Sequence, residues 1–186
     1  IYDLWDSSSP RQDTGHLTLP NVTKTDLFCS AQVLLPSTGE LFLAGGDNWN
    51  GNTGRTTNTG NNNTVLFDPL SNSMRSGNNI NRARWYGTVT TLSDSQIFIM
   101  GGAGGADISE VRAKDGTFKT LPDAVTGEID YWYPRNFLTR DDRIFGLDSR
   151  GRMFYVDPRD RGYVQRHSYL NQDLVGNGSS AVMYSP

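Results

Sequence analysis

The chain has 186 residues, and 35% of them are hydrophobic, which is enough apolar material for the core of one ordinary domain. Its 17 basic and 20 acidic side chains nearly balance, so the charge gives no reason to expect nucleic acid or an anionic membrane as a partner. No apolar run approaches the roughly 20 residues of a membrane span, and Ile1 begins in domain-like sequence without a signal-peptide leader. A small or neutral ligand fits this composition better.

Residue usage favours a turn-rich β protein. The chain contains 20 glycines and 8 prolines, together with many Asn and Ser residues, all of which are typical of turns. Cys29 is the single cysteine, which excludes an internal disulfide.

Strand signals recur along the chain as hairpins that end in a pair of glycines. Residues 31–35 and 40–46 predict the first hairpin, which closes on Gly45-Gly46. Residues 88–92 and 96–102 repeat it and close on Gly101-Gly102. A third hairpin is predicted over 133–139 and 143–147, where Asp148-Ser149 replaces the glycine pair, so the repeat is degenerate there.

A second strand pair follows each of the first two hairpins, and four strands are one blade of a propeller. The predicted fold is therefore all-β, a kelch-type β-propeller fragment of about three four-stranded blades. We expect a blade remnant at 1–20, blades at 26–76, 84–122 and 131–170, and the start of a next blade at 179–186 with an inner strand over 180–184.

Closed propellers have about four to eight blades, so these blades predict a piece of a larger propeller whose remainder is a partner of this chain. A complete β-sandwich is the alternative fold, because it also has short strands at regular spacing. A sandwich does not account for the glycine pairs or for the matched second hairpins.

Cys29 and Tyr86 occupy the same position in successive predicted blades. Cys29 lies sixteen residues before Gly45, and Tyr86 lies fifteen residues before Gly101. Innermost strands run beside the axis of a propeller, where neighbouring blades come closest, so we expect the two side chains to face each other there. Each residue taken alone is more simply a small buried residue or a half-buried strand aromatic.

Two segments carry a family resemblance. Residues 26–29 (Asp-Leu-Phe-Cys), residues 83–86 (Ala-Arg-Trp-Tyr) and the glycine pairs after them resemble galactose oxidase and the glyoxal oxidases, which are copper-radical oxidases. The similarity runs from about Trp5 to Pro186, and it covers the N-terminal part of the propeller. It implies a thioether between Cys29 and Tyr86, with Tyr86 as both copper ligand and radical site.

The resemblance also implies an activity. Such an enzyme oxidises a small alcohol, aldehyde or carbohydrate with O2 and releases H2O2, and it acts outside the cell as a secreted protein. Its remaining copper ligands, a tyrosine and two histidines, are not matched by His16 or His167, which we expect at the surface, so this piece alone is expected to be inactive. The alternative function is a non-catalytic kelch propeller that binds a glycan or a protein.

Two further residues are candidates for substrate binding. Arg135 falls near a substrate-binding arginine of galactose oxidase, and its other interpretation is a salt bridge at a blade edge. Gly104 stands where galactose oxidase has a tryptophan over the thioether, which implies an open or differently covered site. Trp49, after the first glycine pair, is the candidate cover.

Overall fold

The computed structural model describes residues 1–9, 15–48, 59–170 and 176–184. Its regular elements are fourteen β-strands in four antiparallel sheets, and the described residues contain no helix. A membrane-spanning helix is accordingly absent from the described part of the chain. The predicted all-β, propeller-like fold is confirmed.

Strands pair in chain order within every sheet. The first sheet pairs β1 (Tyr2–Trp5) with β2 (His16–Leu19). Three four-stranded sheets follow, which we call the first, second and third blades. The first blade consists of β3 (Ala31–Leu34), β4 (Leu41–Ala44), β5 (Thr64–Asp68) and β6 (Ser73–Ser76). The second consists of β7 (Trp85–Thr91), β8 (Ile97–Ala103), β9 (Ile108–Arg112) and β10 (Phe118–Val125). The third consists of β11 (Arg135–Leu138), β12 (Ile144–Leu147), β13 (Arg152–Asp157) and β14 (Tyr163–Tyr169).

Apolar side chains pack the blades against one another in two clusters. Strand β8 serves both clusters, because successive side chains of a strand point to opposite faces of its sheet. Ile97 and Ile99 belong to the cluster shared with the first blade, and Phe98 and Met100 to the cluster shared with the third. All four are 0% exposed. The inner strands β3, β7 and β11 therefore lie side by side.

The glycine pairs lie where the next blade crosses closely. A Cβ on Gly45, whose φ is +70°, would lie 2.2 Å from the carbonyl oxygen of Arg84, and one on Gly101 would lie 2.8 Å from Cδ of Pro134. The amide of Gly46 also donates a hydrogen bond of 2.9 Å to the carbonyl of Arg84. Glycine accepts a positive φ and has no Cβ that would collide with the neighbouring backbone. Each glycine pair therefore leaves room for the segment that begins the following blade.

The third blade replaces its glycine pair with a capped turn. Asp148, which is 2% exposed, accepts hydrogen bonds from the backbone amides of Arg150 and Arg152 at 2.9 and 2.8 Å and from that of Asp130 at 3.0 Å. The hydroxyl of Ser149 donates to Asp130 at 2.6 Å. Side-chain hydrogen bonds thus close this corner of the blade.

The inner strand predicted over 180–184 stays a prediction. Residues 176–184 carry no strand pairing in the structure. Extended backbone becomes a strand only when a neighbouring strand satisfies its amides and carbonyls, and no strand among the described residues pairs with this segment.

Candidate functional site

Three residues hold equivalent positions at the entry to the inner strands β3, β7 and β11. The amide of Tyr86 donates a hydrogen bond of 3.1 Å to the carbonyl of Cys29, and the amide of Tyr133 donates one of 2.9 Å to the carbonyl of Tyr86. The same main-chain contact therefore links the first blade to the second and the second to the third. Cys29 and Tyr86, singled out from the sequence, are brought together, and Tyr133 joins them.

The backbone is left-handed at all three positions. The φ angles are +59° at Cys29, +68° at Tyr86 and +42° at Tyr133. Such angles are uncommon outside glycine and cost a residue with a side chain about 1–2 kcal/mol each. The packing of the blades must supply that free energy. Strained, over-determined positions of this kind cluster at functional sites.

The rings of Tyr86 and Tyr133 meet edge to face, with centroids 5.2 Å apart and planes at 79°. Burial, and then hydrogen bonding to the neighbouring Cys29 thiol, raises the pKa of Tyr86 to about 12. The same two causes, in the same order, raise the pKa of Tyr133 above the ordinary tyrosine range. Both phenols consequently keep their protons at neutral pH.

Two indole rings cover Tyr86. The ring centroid of Trp132 lies 4.2 Å from that of Tyr86 at an interplanar angle of 31°, and the centroid of Trp85 lies 4.1 Å away at 41°. Tyr131 in turn stacks on Trp132 at 5.2 Å. Trp49, the cover expected from the sequence, lies outside the described residues. The tryptophan that stacks on Tyr86 most nearly in parallel comes instead from the segment before β11.

A buried ion pair anchors the segment that carries Tyr86. The guanidinium of Arg84 donates to a Glu110 carboxylate oxygen at 2.9 Å and to the carbonyls of Gly101, Gly105 and Ile108 at 2.6, 2.7 and 2.7 Å. Arg84 is two residues from Tyr86, so this network ties Tyr86 to the second strand hairpin of its own blade.

Arg135 is bound to backbone carbonyls rather than to a carboxylate. Its Nε donates to Ser179 at 2.9 Å, and its Nη2 donates to Gly176 at 2.9 Å, Asn177 at 2.8 Å and Ser179 at 2.6 Å. No acidic side chain of the described residues forms a salt bridge with it. Its Nη1 is buried and has no partner in the described part of the chain. A cavity of about 430 Å³ adjoins Arg135 and Tyr133.

The two histidines lie at the surface. His16 on β2 is exposed and its Nδ1 contacts the carboxylate of Asp3, and His167 on the outermost strand β14 packs against Tyr155 with ring centroids 5.4 Å apart. Within the described ranges, no group of three His, Cys, Asp or Glu side chains is arranged to hold a metal ion. Of the copper ligands that the resemblance implies, the described residues contain Tyr86. Neither His16 nor His167 corresponds to one of the two implied histidines.

Sequence reasoning missed Tyr133 and Trp132, although a signal was present. Tyr133 lies fifteen residues before Asp148, the same spacing that separates Tyr86 from Gly101. The glycine pair is replaced at Asp148, so the third repeat offered no glycine from which to count. Trp132 then falls at the position of Trp85 in the second blade.

Comparison with known proteins supports the fold. No protein-family model and no curated protein matches the sequence. Among solved structures the chain is similar to a fungal alcohol oxidase of the AA5 family, described as having catalytic diversity and solved in complex with copper, at a TM-score of 0.59 and 17% identity. The match covers 78% of this chain and 30% of that one. The two proteins therefore share the fold and a distant structural relationship, and this chain spans under a third of the oxidase's length.

Proposed function

We propose that this chain is the part of a copper-radical oxidase that carries its Cys–Tyr pair. The observation behind the proposal is the closeness of Cys29 and Tyr86, which a 3.1 Å main-chain hydrogen bond joins at the entries to the neighbouring inner strands β3 and β7. The fold that the chain shares with a copper-bound alcohol oxidase supports the same reading.

The residues present fit one part of a copper site. The Tyr86 oxygen would be a ligand, because a phenolate is a suitable donor for a divalent copper ion. The described residues offer no histidine beside it, so the other ligands would come from elsewhere in the full-length protein. Binding a cation at the Tyr86 oxygen would expel the proton that burial and Cys29 otherwise keep there.

Cys29 would tune the phenol covalently. A thioether forms when a bond between the Cys29 sulfur and a Tyr86 ring carbon replaces one S–H and one C–H bond. The two protons and two electrons released reduce dioxygen to hydrogen peroxide. The sulfur then donates electron density to the ring, which makes Tyr86 easier to oxidise by one electron.

Turnover needs two one-electron centres, because converting a primary alcohol to an aldehyde releases two electrons and two protons. Tyr86 accounts for one, and bound copper would supply the other. Dioxygen accepts the two electrons and two protons and leaves as hydrogen peroxide. Trp132 and Trp85 shield the ring of Tyr86, which would protect an oxidised phenol from reaction with solvent.

The substrate class we propose is a small alcohol, aldehyde or carbohydrate, handled by a secreted enzyme. Support comes from Arg135, which lines the 430 Å³ cavity and whose buried Nη1 has no hydrogen-bond partner among the described residues; we propose that this guanidinium donates a hydrogen bond to a substrate oxygen. Trp49 remains a second proposed contact, and it lies outside the described residues.

The test is the mass of the full-length protein after aerobic copper loading. We expect the polypeptide to become lighter by two hydrogen atoms, with one peptide pair containing Cys29 and Tyr86 surviving reduction. Cys29→Ser should abolish the mass change and most of the alcohol oxidation while leaving the fold intact. A free thiol that is fully titratable after unfolding of the copper-treated protein would leave a glycan- or protein-binding propeller as the function.

A further inference from the structure

Equivalent positions at two interfaces between blades carry different kinds of side chain. The positions are counted from the residue that begins each inner strand, namely Cys29, Tyr86 or Tyr133. Between the first and second blades, three such positions are apolar: Ala31, Val33 and Val89. The same three positions between the second and third blades are polar: Thr88, Thr90 and Asn136.

Strand pairing places the polar residues at the second interface. Thr90 lies opposite Phe98 on the neighbouring strand, and opposite residues of an antiparallel pair share a face of the sheet. Phe98 belongs to the apolar cluster shared with the third blade, so Thr90 faces that blade. On β11, Leu138 packs against the same cluster, and Asn136 shares its face because side chains alternate along a strand. The two polar side chains thus face each other from β7 and β11, which lie side by side.

Three polar atoms at this interface lack a protein partner. The Oγ1 atom of Thr90 and both the Oδ1 and Nδ2 atoms of Asn136 are buried, and none of them has a hydrogen-bond partner among the described residues. An unpaired buried polar group destabilises a fold, and nearly all such groups in proteins are hydrogen-bonded to protein or to ordered water. Valine, which occupies the matching positions of the preceding interface, would avoid that cost. The polar residues therefore indicate a bound partner.

We propose that Thr90 and Asn136 together bind one hydroxyl oxygen between the second and third blades, supplied by an ordered water or by a small alcohol. A hydroxyl group suits these atoms because it both donates and accepts, as the Asn136 amide requires. Neither side chain is charged, which favours a neutral ligand over an ion. Asn136 and Thr88 also line the cavity of about 430 Å³, which gives a small molecule a route to the interface. An alcohol as the source rests on the proposed function, whereas the site itself does not.

The site is tested by urea unfolding of the copper-free full-length protein. Thr90→Val keeps the shape of the side chain and removes its hydroxyl, so a bound oxygen loses one hydrogen bond. The unfolding equilibrium constant should rise about fivefold, the factor that one ordinary hydrogen bond contributes. Thr91→Val is the matched control, because Thr91 lies opposite Ile97 and faces the first blade, and it should leave the constant nearly unchanged. If the Thr90 hydroxyl is simply unpaired, valine removes an unsatisfied group, so a stabilised or unchanged Thr90→Val overturns the proposal.

Asn136→Leu tests whether the two side chains share the oxygen. The double variant Thr90→Val/Asn136→Leu should raise the unfolding constant by clearly less than the product of the two single factors, because both substitutions act on the same bound molecule. Independent factors that simply multiply would overturn the shared site.

Ethylene glycol distinguishes the two sources of the oxygen. A ligand that binds only the folded state stabilises it increasingly with concentration. A gap between wild type and Thr90→Val that widens with added ethylene glycol, relative to Thr91→Val, supports an alcohol, and a constant gap supports ordered water. These measurements need no copper, so their outcome is independent of the mass change that tests the proposed function.

Discussion

Arg84 and Glu110 form a salt bridge of 2.9 Å in which their side chains are 1% and 0% exposed. The second carboxylate oxygen of Glu110 is also satisfied, because it accepts hydrogen bonds from the amide and the side chain of Asn81 at 2.7 and 2.9 Å. Burial lowers the pKa of Arg84, and the charge of Glu110 opposes that shift. Arg84 lies two residues before Tyr86, so breaking the ion pair would disturb the segment that carries Tyr86.

Arg84→Met should strongly destabilise the protein. It leaves the Glu110 carboxylate buried without its counter-charge, and breaking a buried pair in this way costs about 3–5 kcal/mol of unfolding free energy. Urea unfolding measures the loss. Arg75→Met removes a partly exposed pair with Glu40 and should cost under about 1 kcal/mol. Similar small losses in both variants would contradict the structural role of Arg84.

Alanine at Gly45 should cost far more than alanine at Gly39. Both glycines have positive φ, +70° and +73°, so each substitution carries about 1–2 kcal/mol of backbone strain. A Cβ on Gly39 meets nothing within 4 Å, whereas one on Gly45 would lie 2.2 Å from the Arg84 carbonyl oxygen. Overpacking adds about 1–3 kcal/mol or more at Gly45. The difference between the unfolding free energies of the two variants gives the cost of the close contact, because the backbone strain is common to both. Equal losses would argue against the close crossing of the blades.

Stability should fall at alkaline pH partly because of Tyr86. Burial and the Cys29 contact raise the pKa of Tyr86 to about 12 in the folded protein, against about 10 when unfolded. Between those values the folded state binds a proton that the unfolded state has lost, so unfolding free energy decreases as pH rises from about 10 to about 12. Tyr86→Phe should flatten this decrease, and Tyr155→Phe on β13 is the control. Cys29→Ala should lower the pKa of Tyr86, read from ultraviolet titration; no change there would remove Cys29 as a cause.

Arg135→Ala should release the segment 176–179 from the third blade. Four hydrogen bonds from one guanidinium to this segment are lost, so amide exchange in residues 176–180 should become about tenfold faster or more. Arg135→Lys keeps the positive charge but lacks the planar guanidinium that donates several hydrogen bonds at once. It should therefore restore little of the protection against amide exchange. Arg143→Ala, which removes a pair with Asp141 only two residues away in sequence, is the matched control. If Arg135 also binds substrate, the KM for polar substrates should rise in the active full-length protein.

Local patterns were sufficient to predict the class of fold. The run from Ile97 to Met100 is apolar at every position, as expected of a strand buried on both faces, and its two faces pack against different blades. Gly45 and Gly101 mark places where the backbone must turn left-handed beside a neighbour, and glycine is the residue that allows it. The segment 180–184 has a similar apolar character, yet it forms no strand, because pairing needs a partner that composition does not supply.

The sequence by itself determined the all-β blades and drew attention to Cys29 and Tyr86, because hydrophobic alternation, turn residues and repeat spacing are properties of neighbours along the chain. Only the tertiary structure decided that Tyr133 packs edge to face against Tyr86, that Trp132 stacks on Tyr86 and that Arg135 binds the carbonyls of 176–179. Those contacts join residues that lie far apart along the chain. They depend on how far each blade is rotated against the next and on left-handed backbone angles that packing imposes on Cys and Tyr, neither of which is encoded in a local pattern.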